Sequence, residues 1–278
     1  MKNKEITMKT GALSITSQTG ELKSGESLTN GLLPQLWRSS CRVPEAFYDI
    51  QVVVTNLQMA AKAKQLQIIG VTSALPSEGT STITASMAML IAAHSNRRKP
   101  GTLLIDAQLR HPSLHKIFGL ANDTGLFDLL HNGVAAQAFF RKAVGPTRTR
   151  AGKLHNGVAA PAVYKNTPAS ALKIITIGQG WQMPLAQIDT EKFRHFLGKV
   201  KSKFQFVLID LPPILSHADG IVLSKLCDGV VLVVQASQTR REAVAEAKRL
   251  LQRAKVNIIG GILNRRQFFI PSWLYRTL

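Results

Sequence analysis

Residues 74–82, Ala-Leu-Pro-Ser-Glu-Gly-Thr-Ser-Thr, carry a phosphate-binding pattern that lacks its cation. The Walker A spacing asks for Gly-x-x-x-x-Gly-Lys-Ser/Thr, and a looser form accepts Ala first. Ala74, Gly79 and Ser81 satisfy it, but Thr80 stands where lysine belongs. A glycine-containing turn that opens a helix aims backbone N–H groups and the positive helix end at an anion. Ser77, Glu78, Gly79, Thr80, Ser81 and Thr82 are therefore the candidates for a phosphate cradle. Phosphoryl chemistry further requires a hydroxyl and carboxylates to hold Mg²⁺. Ser81 offers the hydroxyl. Asp106 and Asp210 offer the carboxylates, each closing a short apolar run (Thr102-Leu103-Leu104-Ile105-Asp106 and Phe206-Val207-Leu208-Ile209-Asp210). Ser81, Asp106 and Asp210 are the expected metal ligands, and the two aspartates the expected catalytic carboxylates.

The elements that must position these groups are legible as alternating patterns. Glu45–Lys64 has a helical stripe of Phe47, Ile50, Val53, Val54, Leu57, Ala60 and Ala61. The apolar run 66–71 reads as a buried strand before the loop, and 81–91 as the helix after it. Runs 102–106, 171–177, 206–210, 229–236 and 257–264 read as further strands, with helices at 190–204 and 239–255. Thr239 with Glu242 three residues on has the spacing of a capping box. Apolar strands alternating with helices predict an α/β fold with a doubly wound, mostly parallel sheet. At such a sheet's strand ends, Asp106 and Asp210 would face a ligand site.

The chain has 278 residues and a net charge of +19, with 45% hydrophobic residues, enough for one sizeable core. Residues 1–40, rich in Ser, Thr and Gly, read as a flexible arm, and 41–278 as one domain. Neither a membrane span nor a secretory signal is expected from the apolar runs. Cys41 and Cys227 lack metal-ligand spacing and read as reduced thiols. From His131 to Ile188 there is no acidic residue, while Arg141, Lys142, Arg148, Arg150, Lys153, Lys165 and Lys173 are basic. A basic surface insertion at about 131–170 is expected, facing a membrane surface, an acidic protein tail or a nucleic acid. Lys192, Lys199, Lys201 and Lys203 read as a solvated face. The segment Leu130–Ala136 recurs as Leu154–Ala160, a local duplication in which His131 and His155 read as exposed loop residues.

A resemblance adds to this. Leu103–Leu120, with Asp106-Ala107-Gln108-Leu109-Arg110, Pro112, His115 and Phe118-Gly119, resembles the second Walker motif of bacterial capsular and exopolysaccharide tyrosine kinases. These are relatives of the MinD/ParA P-loop ATPases with a deviant Walker A. Ile209-Asp210-Leu211-Pro212-Pro213 with Ala218-Asp219 is similar to the family's Walker B segment, and Leu263-Asn264-Arg265 to the strand end whose asparagine contacts adenine. The resemblance implies a P-loop NTPase fold, ATP or ADP with Mg²⁺ as cofactor, and nucleotide contacts from Asn264 and Arg265. It also implies a membrane polysaccharide co-polymerase as partner, self-association, and a cytoplasmic position at the inner face of the membrane. An anionic membrane surface ranks ahead of nucleic acid as a further partner.

Four departures from the family pattern fall in functionally distinct places. Thr80 replaces lysine, and Gln108 replaces the second aspartate of an Asp-x-Asp pair. The first helix lacks the two arginines of a Glu-x-x-Arg-x-x-Arg assembly motif, and the tail has one tyrosine, Tyr275, beside Phe268-Phe269. A charge-assisted hydrogen bond contributes about 1.5–3 kcal/mol, so losing the lysine weakens nucleotide binding by roughly one or two decades. A cation matters more in the transition state, so turnover should suffer more than binding. A regulatory member with weak or no kinase activity is the leading expectation. An active tyrosine autokinase and a ParA/MinD-like ATPase acting on DNA or membrane are the alternatives.

Overall fold

The computed structural model describes residues 45–94, 101–132, 140–142, 171–179 and 189–265. The expected arm 1–40, most of the basic insertion, the second copy of the repeat and the aromatic tail lie outside them. In chain order the helices are α1 (Glu45–Lys64), α2 (Thr80–Ala93), α3 (Leu114–Phe118), α4 (Leu126–Asn132), α5 (Thr190–Lys201), α6 (Ala218–Ser224) and α7 (Arg241–Arg253). The strands are β1 (Ile68–Ser73), β2 (Thr102–Asp106), β3 (Arg141–Lys142), β4 (Leu172–Ile175), β5 (Phe206–Asp210), β6 (Gly229–Gln235) and β7 (Ile258–Asn264). They form one sheet in the order β3-β4-β2-β5-β1-β6-β7, parallel throughout except for the two-residue edge strand β3.

Successive strand residues point to opposite faces, and the apolar runs divide accordingly. Ile69, Val71, Leu104 and Leu208 meet α1, α2 and α3 on one face, where Val53, Val54, Leu57 and Ala61 carry the predicted stripe of α1. Leu103, Ile105, Val207 and Ile209 meet α4, α5, α6 and α7 on the other, through Leu126, Phe193, Leu223 and Leu251 among others. Burial on both faces is why these strands are apolar runs with no alternation.

Three details depart from expectation. The capping box does not form: the N-cap of α7 is Arg240, without a side-chain cap, and the Thr239 hydroxyl donates to the Glu78 carboxylate. The helix starts one residue later than the Thr239/Glu242 spacing requires, and the hydroxyl serves as a donor to a buried carboxylate. His131 stands on α4, stacked on Phe127, and not in a loop. Arg141 is in β3 and pairs with Asp123 and Thr124, so it is held within the fold at the start of the expected insertion.

Below the amino-terminal ends of the central strands, Asp228 joins three segments. Its carboxylate accepts the Gln67 and Ile68 backbone N–H groups at 2.9 and 2.8 Å and the Lys201 ammonium at 2.7 Å. Burial works against its charge, but these donors outweigh it and hold its pKa below the ordinary value. A depressed carboxylate contributes stability at pH values above its unfolded pKa, and that stability is lost as pH falls through the folded one. Asp228→Ala should cost about 2 kcal/mol at neutral pH by orphaning two N–H groups, a fall in melting temperature of about 4–8 °C. The difference from wild type should shrink below about pH 4 in a thermal melt series. Equal melting temperatures at pH 7 would refute the role.

Candidate nucleotide site

β1 delivers the loop, and the loop's shape is set by Glu78. This side chain is 2% exposed, an unusual place for a carboxylate unless it is fully bonded. It accepts the Leu75 N–H at 2.8 Å within the loop, then the Gln235 N–H at 3.2 Å and the Thr239 hydroxyl from the link between β6 and α7. The Glu78 carbonyl accepts the Asn264 amide at 2.8 Å. Gly79 follows at φ 87°, in the left-handed region, and a Cβ there would collide with the same Asn264 amide. Only glycine meets both conditions. Ser77 also lies in the left-handed region, at φ 65°, where a side chain is a strain that glycine would avoid.

Helix α2 begins at Thr80 with its positive end at the loop. Thr80 is 5% exposed, so the position that should carry a cation is a buried hydroxyl. Two of the described cations at this end of the sheet are engaged elsewhere: Arg110 lies 3.7 Å from Asp219, and Arg265 donates to the Gln235 side chain at 3.1 Å. Asn264, expected to meet adenine, spends its amide on Glu78 and its oxygen on the Arg265 N–H. Ser81 and Thr82 open the first turn of α2, half-buried.

Asp106 and Asp210 stand directly opposite each other, because β2 and β5 pair in parallel register through Thr102↔Phe206 to Asp106↔Asp210. Both are fully buried. Burial pushes the Asp106 carboxyl up to about 7, against the backbone N–H groups of Gln108, Leu114 and Ser113. Asp210 is raised well above the carboxylate range by burial and by the charge of Asp106, with hydrogen bonds from Ser81 and Gln108 acting the other way. Gln108 fills the space where a third carboxylate is expected from the resemblance. Its amide donates to the Leu211 carbonyl at 2.8 Å and to Asp210 Oδ1 at 3.4 Å.

Among the described residues no cluster of three carboxylate, His or Cys side chains could hold a metal. Asp210 Oδ2 is nevertheless buried without a hydrogen-bond partner, and the Ser81 hydroxyl already reaches the same carboxylate. Two carboxylates, a hydroxyl and one unfilled oxygen fit a hard divalent cation that completes its shell with phosphate and water. The fit is looser than a third carboxylate would make it.

Sequence reading brought together Ser81, Asp106 and Asp210, and they do converge. It missed Gln235 and Thr239, which hold Glu78 from more than 150 residues away. Thr239 was visible as a polar residue before a helix, but its partner was not. It also missed Thr72, whose buried hydroxyl donates to the Pro212 carbonyl at 2.6 Å and ties the β1 end to the segment after β5.

A parallel sheet with the loop after β1 and carboxylates ending β5 and β2 on one side of it is an α/β architecture of the P-loop NTPase kind. A MinD protein from Pyrococcus horikoshii complexed with Mg-ADP superposes with a TM-score of 0.51 at 18% identity, over 76% of each chain, a likeness of fold. The kinase domain of VpsO gives a TM-score of 0.63 at 26% identity, covering 80% of this chain and 97% of that one. Tyrosine-protein kinase YwqD of Bacillus subtilis is 30% identical over 217 residues, 78% of this chain and 80% of its own. The chain belongs to the bacterial tyrosine-protein kinase family. No protein-family model matches it.

Proposed function

We propose that this chain is a kinase-like regulator of exopolysaccharide or capsule biosynthesis that keeps the nucleotide cradle and has weak or no kinase activity. The observation that carries the reading is the paired replacement at the site's centre. Thr80 is a buried hydroxyl in place of the cation, and Gln108 is an amide donor in place of an ionised metal ligand. The backbone of 77–82 and the start of α2 would hold ADP or ATP phosphates, with Ser81, Asp106 and Asp210 holding Mg²⁺ and Asn264 and Arg265 near the base. When bound, Mg²⁺ neutralises charge on the phosphates. The residues of the cradle position them and exclude water, and position 80 supplies a hydroxyl where a cation would meet the charge that develops on transfer.

The partner that fits is a membrane polysaccharide co-polymerase, which places the chain in the cytoplasm, peripheral to the membrane. The nucleotide domain is taken as 41–278, with 1–40 as an arm. Among the described residues no helix is long and apolar enough to cross a membrane, so attachment would come through surface and partner. Titration with a fluorescent ADP analogue, with and without Mg²⁺, should show binding that Mg²⁺ strengthens only weakly. Incubation with Mg·ATP should leave Tyr275 unphosphorylated. Robust autophosphorylation would establish the active-kinase alternative instead.

A further inference from the structure

Charge in this fold is segregated along the strand axis. Every described carboxylate except Asp228 stands at a strand's carboxyl end, in the loops that follow, or in the first two turns of a helix. At the opposite edge, four adjacent strands in the order β5-β1-β6-β7 each begin within five residues of an exposed lysine: Lys203, Lys64, Lys225 and Lys255. The lone acid there, Asp228, is spent on backbone N–H groups and on Lys201. None of the four exposed lysines has an ion pair among the described residues, and Arg253 adds a further exposed cation.

The four strand starts are held as a unit. The Gln67 amide donates to the Lys201 and Phe204 carbonyls at 2.6 and 2.5 Å, and the Asn257 amide to the Asp228 carbonyl at 3.0 Å. Neighbouring strands lie about 5 Å apart, inside the screening length of about 8–10 Å at moderate salt. The lysines therefore act on an external anion together. Helix dipoles account for a cation at the end of each helix, but α5 has Lys199 and Lys201 in its last turn and Lys203 just beyond it. Lys255 moreover sits at φ 58°, a left-handed helix-end position that glycine fills without strain.

We infer that this amino-terminal sheet edge is a docking face for an anionic lipid bilayer, which would leave the nucleotide site pointing away from the membrane. The inference rests on the peripheral localisation proposed above and identifies the surface responsible. Its chemistry favours lipid over nucleic acid. Among the described residues the exposed cations at this edge are lysines with the exception of Arg253, point charges without the planar fork that grips phosphate bidentately. The large apolar residues exposed in the described structure, Val52, Met59, Leu75, Ile117 and Leu263, include no aromatic on which a base could stack. A bilayer needs only summed charge, about a fivefold gain in partition for each lysine near its surface.

The test is co-sedimentation of the full chain with phosphatidylcholine vesicles, alone or containing about 30% phosphatidylglycerol, at about 50 and 300 mM NaCl. Wild type should bind the anionic vesicles only, with a strong loss at the higher salt. The variant K64Q/K203Q/K225Q/K255Q should lose at least tenfold in partition. The charge-matched variant K192Q/R240Q/R241Q/K248Q, altered away from this edge, should stay within about threefold of wild type. Should the quadruple variant not fold, K203Q/K255Q must show an intermediate loss. Equal losses in both quadruple variants would mean that net charge alone acts, and the face would be refuted. Failure of wild type to bind anionic vesicles, or equal loss of binding to a DNA duplex by the edge variant, would likewise overturn it. Autophosphorylation assayed on the same preparation reports separately on the regulatory reading, which survives or fails independently of these results.

Discussion

The double variant Thr80→Lys/Gln108→Asp should bind ADP one to two decades more tightly than the native chain in the presence of Mg²⁺ and should hydrolyse ATP measurably. Thr80→Lys alone should gain affinity without appreciable turnover. The lysine restores a charge-assisted contact worth about 1.5–3 kcal/mol to a phosphate, and it leaves the metal site unchanged. Gln108→Asp alone is expected to harm the protein. The Gln108 amide donates to the Leu211 carbonyl and to Asp210. A carboxylate can do neither, and it places a third acid beside two whose charge burial already opposes. The stability cost should be recovered only when a cation is present, so the melting temperature of the double variant should rise on adding Mg²⁺ by more than that of the native chain. Tight Mg·ADP binding and strong autophosphorylation in the unmodified protein, unchanged by either substitution, would sink the account of the site as charge-depleted.

Asp210→Asn should make the metal-free protein more stable at pH 8. Asp106 titrates at about 7 and Asp210 well above the carboxylate range, both because burial opposes their charge. A carboxyl whose folded pKa exceeds its unfolded value binds more protons in the native state between the two. Stability therefore falls as pH rises from about 4 through 7 and stays low above. An asparagine cannot ionise and keeps the shape, so the gain is present at pH 8 and vanishes near pH 4. The melting temperature of the variant should lie above that of the native chain at pH 8 and match it near pH 4, and the native protein should itself melt higher at pH 5 than at pH 8. Added Mg²⁺ should stabilise the native chain more at pH 8 than at pH 6, because metal and proton compete for the same oxygens. A lower melting temperature for the variant at pH 8 would contradict the burial argument.

The long elements were legible because their signals are local. The stripe of α1 and the apolar runs of β2 and β5 each state their own burial, and their observed limits match the sequence reading at 45–64, 102–106 and 206–210. The short helices α3, α4 and α6 were not, since five to seven residues carry too few turns to show a period. Strand order was also invisible. That Asp106 and Asp210 converge follows from the adjacency of β2 and β5, which no spacing in the chain reveals. For the same reason Gln108 read as a missing acid, and only the neighbouring strand shows it to be a donor. Thr239 was read as a helix cap because the competing acceptor, Glu78, arrives from another part of the chain.

The bonds that hold the cradle run through Leu75, Glu78, Gln235, Thr239 and Asn264, and none of these ties uses the Thr80 side chain. Shape and charge are consequently inherited as separate traits in this molecule. A codon change at position 80 can therefore alter the charge offered to a phosphate without touching any of these bonds, so evolution can tune the one independently of the other.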